Sequence, residues 1–203
     1  MLKKKKPRST GVSGRERLLK VAVRLFAAKG YAATSVRDIL RAADVTAPVL
    51  YYHFGNKEGL FLALVREGVQ KIETAVGKAL EQGGSATDKV RSYCHAIAAI
   101  RREYADMAWI IEAILSGSPE AAPRFDFRGK FEESLRQLAR LVQDGIESGE
   151  FRACDPIHAA SALLGAVEMV ARPHLLQPRN SSHDDQLEGM LSVILNGLAA
   201  SAV

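Results

Sequence analysis

Residues 34–57 read TSVRDILRAADVTAPVLYYHFGNK, and this stretch decides the fold of the N-terminal part of the chain. Its first half places Val36, Ile39, Leu40 and Ala43 at the i, i+3, i+4, i+7 spacing of one helix face. Its second half repeats a short helical pattern that ends near residue 54, with Pro48 in the first turn, where a missing N–H costs nothing. Two short helices around one tight turn predict a helix-turn-helix, whose second helix can enter a DNA major groove.

Three consecutive polar aromatic side chains mark the second of these helices. Tyr51, Tyr52 and His53 lie between Leu50 and Phe54, which are four residues apart and can both face a core. Hydrogen-bonding aromatics outside a core suit a phosphate-lined surface. A lone histidine would more simply be structural, but its place in YYHF before Asn-Lys favours the DNA interpretation.

The segment from about Arg15 to Leu64 resembles the DNA-binding domain of the TetR family of bacterial transcriptional repressors. The resemblance rests on LFAAKGYAATSVRDILRAADVTAPVLYYHFGNKEGLF, residues 25–61. Beyond Leu64 only the helical layout is similar. Residues Thr34 and Ser35 begin the first helix, where free N–H groups can meet a phosphate. Together with them, the resemblance implies DNA contacts at Thr46, Ala47, Pro48, Val49, Tyr51, Tyr52, His53 and Lys57.

Ala47 departs from the pattern of the family, whose members often carry a longer polar side chain there. Alanine cannot hydrogen-bond a base edge and can only touch a thymine methyl group. Base reading through Ala47, Pro48 and Val49 would therefore be largely apolar.

The charge of the chain is uneven. The 203 residues carry a formal net charge of +5, but residues 1–60 contain 13 Lys and Arg against 4 Asp and Glu. The remaining residues contain 15 against 19. The basic excess thus accompanies the helix-turn-helix, as a polyanionic partner requires. No apolar run approaches the roughly 18 residues of a membrane span, and two cysteines offer no disulfide framework, so we expect a soluble cytoplasmic protein.

The pattern predicts an all-α chain in three parts. Residues 1–13 form a disordered basic arm, which either contacts DNA or is simply a solvated tail. Residues 14–60 form the helix-turn-helix domain. Residues 61–203 form a helical domain for ligand binding and dimerisation, joined to the first by a long helix over about 57–82. Further helices are predicted from about residue 87, over 106–115, over 125–148, from Pro156 to before Pro173, and after Ser182.

Aromatic and polar side chains gather in three consecutive helices of the second part. They could line an apolar pocket for a small-molecule effector, or they could be an ordinary helical core. The resemblance implies a pocket between these helices without choosing its residues. The candidates are Tyr93, Tyr104, Met107, Trp109, Glu112, Phe125, Phe127 and Phe131.

Neither catalysis nor metal binding is predicted. The histidines show no H-x-x-x-H spacing and the cysteines no C-x-x-C spacing, and no nucleotide-binding or nucleophile motif occurs, so we expect no cofactor. One alternative is a thiol-responsive regulator acting through Cys94 or Cys154. A helical enzyme or carrier with no DNA function is another.

The helix from Pro156 has no polar face and must be buried on both sides. One side can pack on its own domain and the other on a second copy, with the last helix beside it, as members of the family dimerise. Both faces could instead be covered within one chain. A two-fold homodimer would require a palindromic double-stranded DNA operator. The predicted interface residues are Ala159, Ala162, Gly165, Ala166, Met169, Leu191, Ile194, Leu195 and Leu198.

Overall fold

The structure is a computed structural model that describes residues 13–105, 123–171 and 182–199. Within them the chain forms eight helices, so the predicted all-α class is confirmed. In order, they are α1 Gly14–Lys29, α2 Val36–Ala43, α3 Ala47–Phe54, α4 Lys57–Glu81, α5 Ala86–Glu103, α6 Phe127–Glu147, α7 Pro156–Ala171 and α8 His183–Leu198. The helix predicted over 106–115 lies outside the described residues, as does the basic arm apart from Ser13, which caps α1.

Helix starts are fixed locally by short capping motifs. Capping boxes begin α1, α2, α5 and α8, each with a serine at the N-cap and an acidic residue three positions later. Asp155 begins α7 by accepting the N–H of Ile157 at 2.8 Å, ahead of Pro156 in the first turn. These caps satisfy backbone N–H groups that have no partner inside the helix. Because the capping residues lie within a few positions of each other, the helix starts can be recognised from the sequence.

The chain divides into two compact units. Residues 13–66 and 123–124 belong to the first and residues 67–105, 125–171 and 182–199 to the second. The division falls after Arg66 and not at residue 60, because the first turns of α4 complete the core of the first unit. There the ring of Phe61 meets those of Phe26 and Tyr31, with centroids 5.8 and 5.2 Å apart.

The turn of the helix-turn-helix lies in the first unit. Asp44 follows α2 in the left-handed conformation, with φ 51°, and its N–H donates to the carbonyl of Leu40. Asp tolerates this conformation better than most residues, which explains its place in the turn. Thr46 then stands at the N-cap of α3, although its side chain makes no capping hydrogen bond.

The second unit is built around α5, α6, α7 and α8. The inward face of α7 is fully buried and carries Ala160, Leu163, Leu164, Val167 and Val170. A loop after α6 closes the unit. The carboxylate of Glu150 accepts the N–H groups of Ala86 and Thr87 at 2.7 and 2.9 Å, and the N–H of Arg152 donates to the carbonyl of Leu198 at 2.8 Å. This loop therefore ties the start of α5 to the end of α8.

Helix α4 changes character along its length. Before Arg66 it buries Leu60, Phe61, Leu64 and Val65, whereas after Arg66 its fully buried positions are Gly68 and Val76. The later half is also held by surface ion pairs. These join Lys71 to Glu103 of α5 at 3.3 Å and Glu73 to Lys130 of α6 at 2.9 Å.

Among the described residues, none of the helices combines the length and the apolar character that crossing a bilayer would require.

Candidate nucleic-acid interface

Helix α3 presents an aromatic surface to solvent. Leu50 is fully buried and anchors the helix, while Tyr51 is 54% and Tyr52 85% exposed. The rings of Tyr52 and His53 meet edge to face at 5.0 Å. The N-cap residue Thr46 is exposed, and so are Pro48 and His53 on α3. Ala47 is half-buried. Most of the α3 residues predicted to contact DNA are thus sterically free to do so.

Val49 is an exception among the predicted contacts. It is half-buried, and a Cβ built on Gly14 would lie 3.0 Å from its Cγ1 atom. Val49 therefore packs against the start of α1, where it supports α3. Its assignment as a base contact stays a prediction, with only part of the side chain left accessible.

Thr34 is also structural. It is fully buried, and its hydroxyl donates to the carbonyls of Gly30 at 2.8 Å and Leu25 at 3.2 Å. Its backbone N–H donates to the carbonyl of Tyr31 at 3.3 Å. The end of α1 needs donors for its free carbonyls, and Thr34 supplies them, so neither of its donors is available to a phosphate.

Ser35 begins α2 as predicted. Its hydroxyl accepts the N–H of Asp38 at 3.1 Å and also donates to the Asp38 carboxylate at 2.8 Å. These hydrogen bonds from Ser35 lower the pKa of Asp38 below its usual value. The serine side chain is exposed but already engaged.

Lys57, a predicted DNA contact, also makes contacts inside the first unit, and its assignment to DNA stays a prediction. Its Nζ donates to the carbonyls of Tyr31 and Thr34, both at 3.0 Å, and lies 4.1 Å from the centroid of the Tyr31 ring. The ammonium group thus anchors the α1–α2 connection to the start of α4. Two of its three protons are used inside the unit, because those loop carbonyls have no helical partner.

An open concavity of about 700 Å³ lies between α2 and α3 on this surface. Its lining combines two arginines and a tyrosine with half-buried apolar side chains. The residues are Val36, Arg37, Leu40, Arg41, Asp44, Val45, Thr46, Ala47 and Tyr51. Arg37 and Arg41 were not among the residues predicted to contact DNA, although their spacing of four places them on one face of α2, opposite its apolar face.

The predicted ligand residues that the structure describes lie in different surroundings. Tyr93 is fully buried in the core of the second unit, and its hydroxyl donates to the carbonyl of Ser134 at 3.0 Å. Burial raises its pKa to about 12. Phe131 is 47% exposed on α6. Tyr93 thus joins α5 to α6 and Phe131 faces solvent, and their assignment to a ligand pocket stays a prediction.

The remaining ligand candidates are divided. Tyr104 ends α5 and is half-buried, with the Lys71 ammonium 4.4 Å from its ring centroid. Phe125 and Phe127 are half-buried, with their ring centroids 4.8 Å apart. Met107, Trp109 and Glu112 lie outside the described residues.

The predicted dimer residues divide between the core and the surface. Ala162 and Gly165 are exposed on α7, Met169 beside them is 41% exposed, and Ile194 on α8 is half-buried. The others, Ala159, Ala166, Leu191, Leu195 and Leu198, are buried in the core of their own unit. For those five, the most apolar stripe of each helix is taken by its own core, which leaves little surface for a partner, and their assignment to an interface stays a prediction. The face left open on α8 instead includes Val193, which is 76% exposed.

The thiols differ sharply in environment. Cys94 is fully buried, and burial raises its pKa to about 12, so it stays protonated and unreactive at neutral pH. This disfavours the thiol-responsive alternative at Cys94, whereas Cys154 is half-buried. In residues 13–105, 123–171 and 182–199, no group of three or more His, Cys, Asp or Glu side chains is arranged to hold a metal ion.

Two short helices joined by the three-residue turn 44–46, with the second helix facing solvent, make the first unit a helix-turn-helix domain. The sequence matches "Bacterial regulatory proteins, tetR family" over residues 18–64 and "Tetracyclin repressor-like, C-terminal domain" over residues 127–194. The chain belongs to the TetR family and is a DNA-binding transcriptional regulator.

Similar proteins support this assignment along most of the chain. The HTH-type transcriptional repressor KstR2 of Rhodococcus jostii is 29% identical over 197 residues, 95% of each chain. An uncharacterized HTH-type transcriptional regulator of Bacillus subtilis, YdgC, is 31% identical over 83% of this chain and 85% of its own. The crystal structure of the TetR family regulator PfmR from Thermus thermophilus superposes with a TM-score of 0.73 at 26% identity, covering 92% of this chain and all of PfmR.

Proposed function

We propose that this protein is a homodimeric repressor that holds a palindromic operator through two copies of α3 and releases it when a small apolar or amphipathic ligand binds the second unit. The observation that carries the proposal is the presentation of α3, with Tyr51 and Tyr52 exposed while Leu50 fixes the helix. The surplus of 13 basic over 4 acidic residues in positions 1–60 favours a polyanionic partner. Its place of action is the cytoplasm, where bacterial DNA lies.

The homodimer is supported by an uncovered face on α7 and α8. Gly165 and Gly197 are exposed, with open space where a Cβ would stand, and Val193 is 76% exposed. A helical glycine costs up to about 1 kcal/mol relative to alanine, and nothing in its own unit fills the space at these positions. A second copy packed on this face would use the small residues for close approach and would cover Met169 and Val193.

Two-fold symmetry then sets the shape of the operator. A closed dimer presents two identical α3 helices, so the two half-sites form a palindrome whose centres lie one or more helical turns apart.

The ligand site that we propose lies beside the start of α6. Phe125 and Phe127 are half-buried with their ring centroids 4.8 Å apart, so together they offer an apolar surface that is partly sheltered and still accessible, whereas Tyr93 is fully buried and Phe131 faces solvent. A ligand releases the operator only if it binds the DNA-free state more tightly than the DNA-bound state.

The test of DNA binding starts from random duplexes selected for binding to the full chain. Anisotropy titration with the enriched duplex then compares the wild type with Tyr52→Ala and His53→Ala, which we expect to weaken binding at least about tenfold each. Phe131→Ala is the matched control, since it removes an exposed aromatic side chain from the second unit. Equal affinity in all four proteins would contradict the assignment of α3.

The test of ligand response uses the same duplex. Compounds that raise the melting temperature of the protein are bound by its native state, and those acting as inducers should also lower the anisotropy of the labelled duplex. Stabilising compounds that never displace DNA would argue against release by a ligand.

A further inference from the structure

The concavity between α2 and α3 has an ordered arrangement of chemistry. Val36, Leu40, Val45 and Ala47 supply half-buried apolar surface, with Arg37 near one end and Asp44 at the other. At 1.5 Å of rise per residue, Arg37 and Asp44 are separated by about 10 Å, roughly three nucleotide steps along one DNA strand. The two ends of the concavity therefore differ in charge, with the positive Arg37 near one end and the negative Asp44 at the other.

The start of α3 lacks hydrogen-bonding side chains at all three positions that precede Leu50. Ala47 and Pro48 have none, and Val49 is packed against α1. These side chains can touch a thymine methyl group but cannot distinguish base pairs by donor and acceptor pattern. Hydrogen-bonded readout on this side of α3 is therefore left to Thr46, to Tyr51 and to the side chains of α2 that line the same concavity.

The two arginines of the concavity differ in what they already bind. The guanidinium of Arg41 lies 3.2 Å from the carboxylate of Asp38, which itself belongs to the capping box of α2. Arg37 is exposed and has no hydrogen bond or ion pair to any side chain in the described ranges 13–105, 123–171 and 182–199. Its planar fork is free to make a bidentate contact, whereas the fork of Arg41 is partly used.

Resting on the proposed operator binding, we propose that Arg37 of α2 is the residue that reads a guanine in each half-site, beside a thymine that touches Ala47. Arginine paired to the O6 and N7 atoms of guanine is the commonest specific contact in the major groove. Arg41 has a different role, which is to add sequence-independent attraction to phosphate. Specificity in this protein is thus divided between an apolar α3 and a charged α2.

The experiment repeats the selection from random duplexes with full-length wild type, Arg37→Gln, Arg37→Ala and the matched control Arg41→Ala. Glutamine pairs with adenine, so Arg37→Gln should replace guanine by adenine at one position of each half-site. Arg37→Ala should flatten the preference at that position and weaken binding to the wild-type site by about ten- to a hundredfold. Arg41→Ala should keep the wild-type motif, weaken binding to all duplexes alike and lower the salt dependence.

The outcomes separate this inference from the one on which it rests. If the wild type enriches a motif and Arg37→Gln enriches the same motif, the role of Arg37 is refuted while operator binding stands. If the wild type enriches no motif, both are refuted. Because Arg37 is exposed, circular dichroism melts of its variants should match the wild type.

Discussion

Replacing Lys57 by methionine tests whether its ammonium group anchors the fold or contacts DNA. Methionine keeps most of the apolar stem while removing two hydrogen bonds of 3.0 Å and a cation–π contact of 4.1 Å. A charge-assisted hydrogen bond contributes about 1.5–3 kcal/mol net, and a cation–π contact about 0.5–1 kcal/mol. Lys57 is only half-buried and water screens its contacts, so we discount the sum of these values to a total of about 2 kcal/mol.

For a unit of this size, 2 kcal/mol corresponds to a fall of about 8–16 °C in melting temperature. We expect that loss in a calorimetric scan of Lys57→Met, together with weaker operator binding, because the α1–α2 connection no longer holds α2 in place. Anisotropy titrations between 50 and 200 mM salt, run well below the melting temperature, should give the same slope of log affinity against log salt as the wild type. Lys20→Met, which removes an exposed lysine from α1, should leave the melting temperature unchanged.

The opposite pattern would refute this reasoning. An unchanged melting temperature with a slope smaller by about 0.9 would mean that Lys57 neutralises one phosphate and contributes nothing to the fold.

Three more predictions follow from the packing, the uncovered face and the caps. Gly145→Ala should lower the unfolding free energy of the second unit by more than about 2 kcal/mol in urea titration, because the new methyl group would collide with the ring of Phe151. Val193→Glu should give monomers by light scattering with weak operator binding, whereas a variant that stays dimeric would place the interface elsewhere. Ser35→Ala should cost about 1 kcal/mol at pH 7. That cost should shrink in acid melts, since the depressed pKa of Asp38 stabilises the fold above the ordinary carboxyl range and this stabilisation is lost as the pH falls through the folded-state pKa.

Local patterns in the sequence were enough to predict the helices. The apolar spacing of three and four residues located them, and the serine caps and the glycine after Lys29 fixed their ends within a few positions. The helix-turn-helix was predictable for the same reason, since both of its helices and its turn lie within about twenty consecutive residues.

Features that depend on distant residues were not predictable in this way. The hydrogen bond from Lys57 to the carbonyl of Tyr31 joins residues 26 positions apart, and no local pattern around either residue predicts it. The surface available for a dimer was also not predictable from local patterns, for a different reason. Leu191 and Val193 are both apolar on one short helix, and only the packing of the chain shows that the leucine is buried while the valine remains exposed.

The later half of α4 is a part of the second unit that can be displaced at a low cost in free energy. Exposed ion pairs such as Lys71–Glu103 and Glu73–Lys130 contribute about 0–1 kcal/mol each, and water can replace them as they separate. Of its apolar side chains on the core of the second unit, Val76 is buried whereas Ile72 and Leu80 are only partly buried, so sliding this half by a fraction of a turn exposes less apolar area than a fully buried helix would. The cost of such a displacement is comparable to the coupling free energy of about 1–3 kcal/mol that one small ligand supplies. A stiffer, leucine-filled contact along the same helix would demand more energy than an effector of modest affinity can provide.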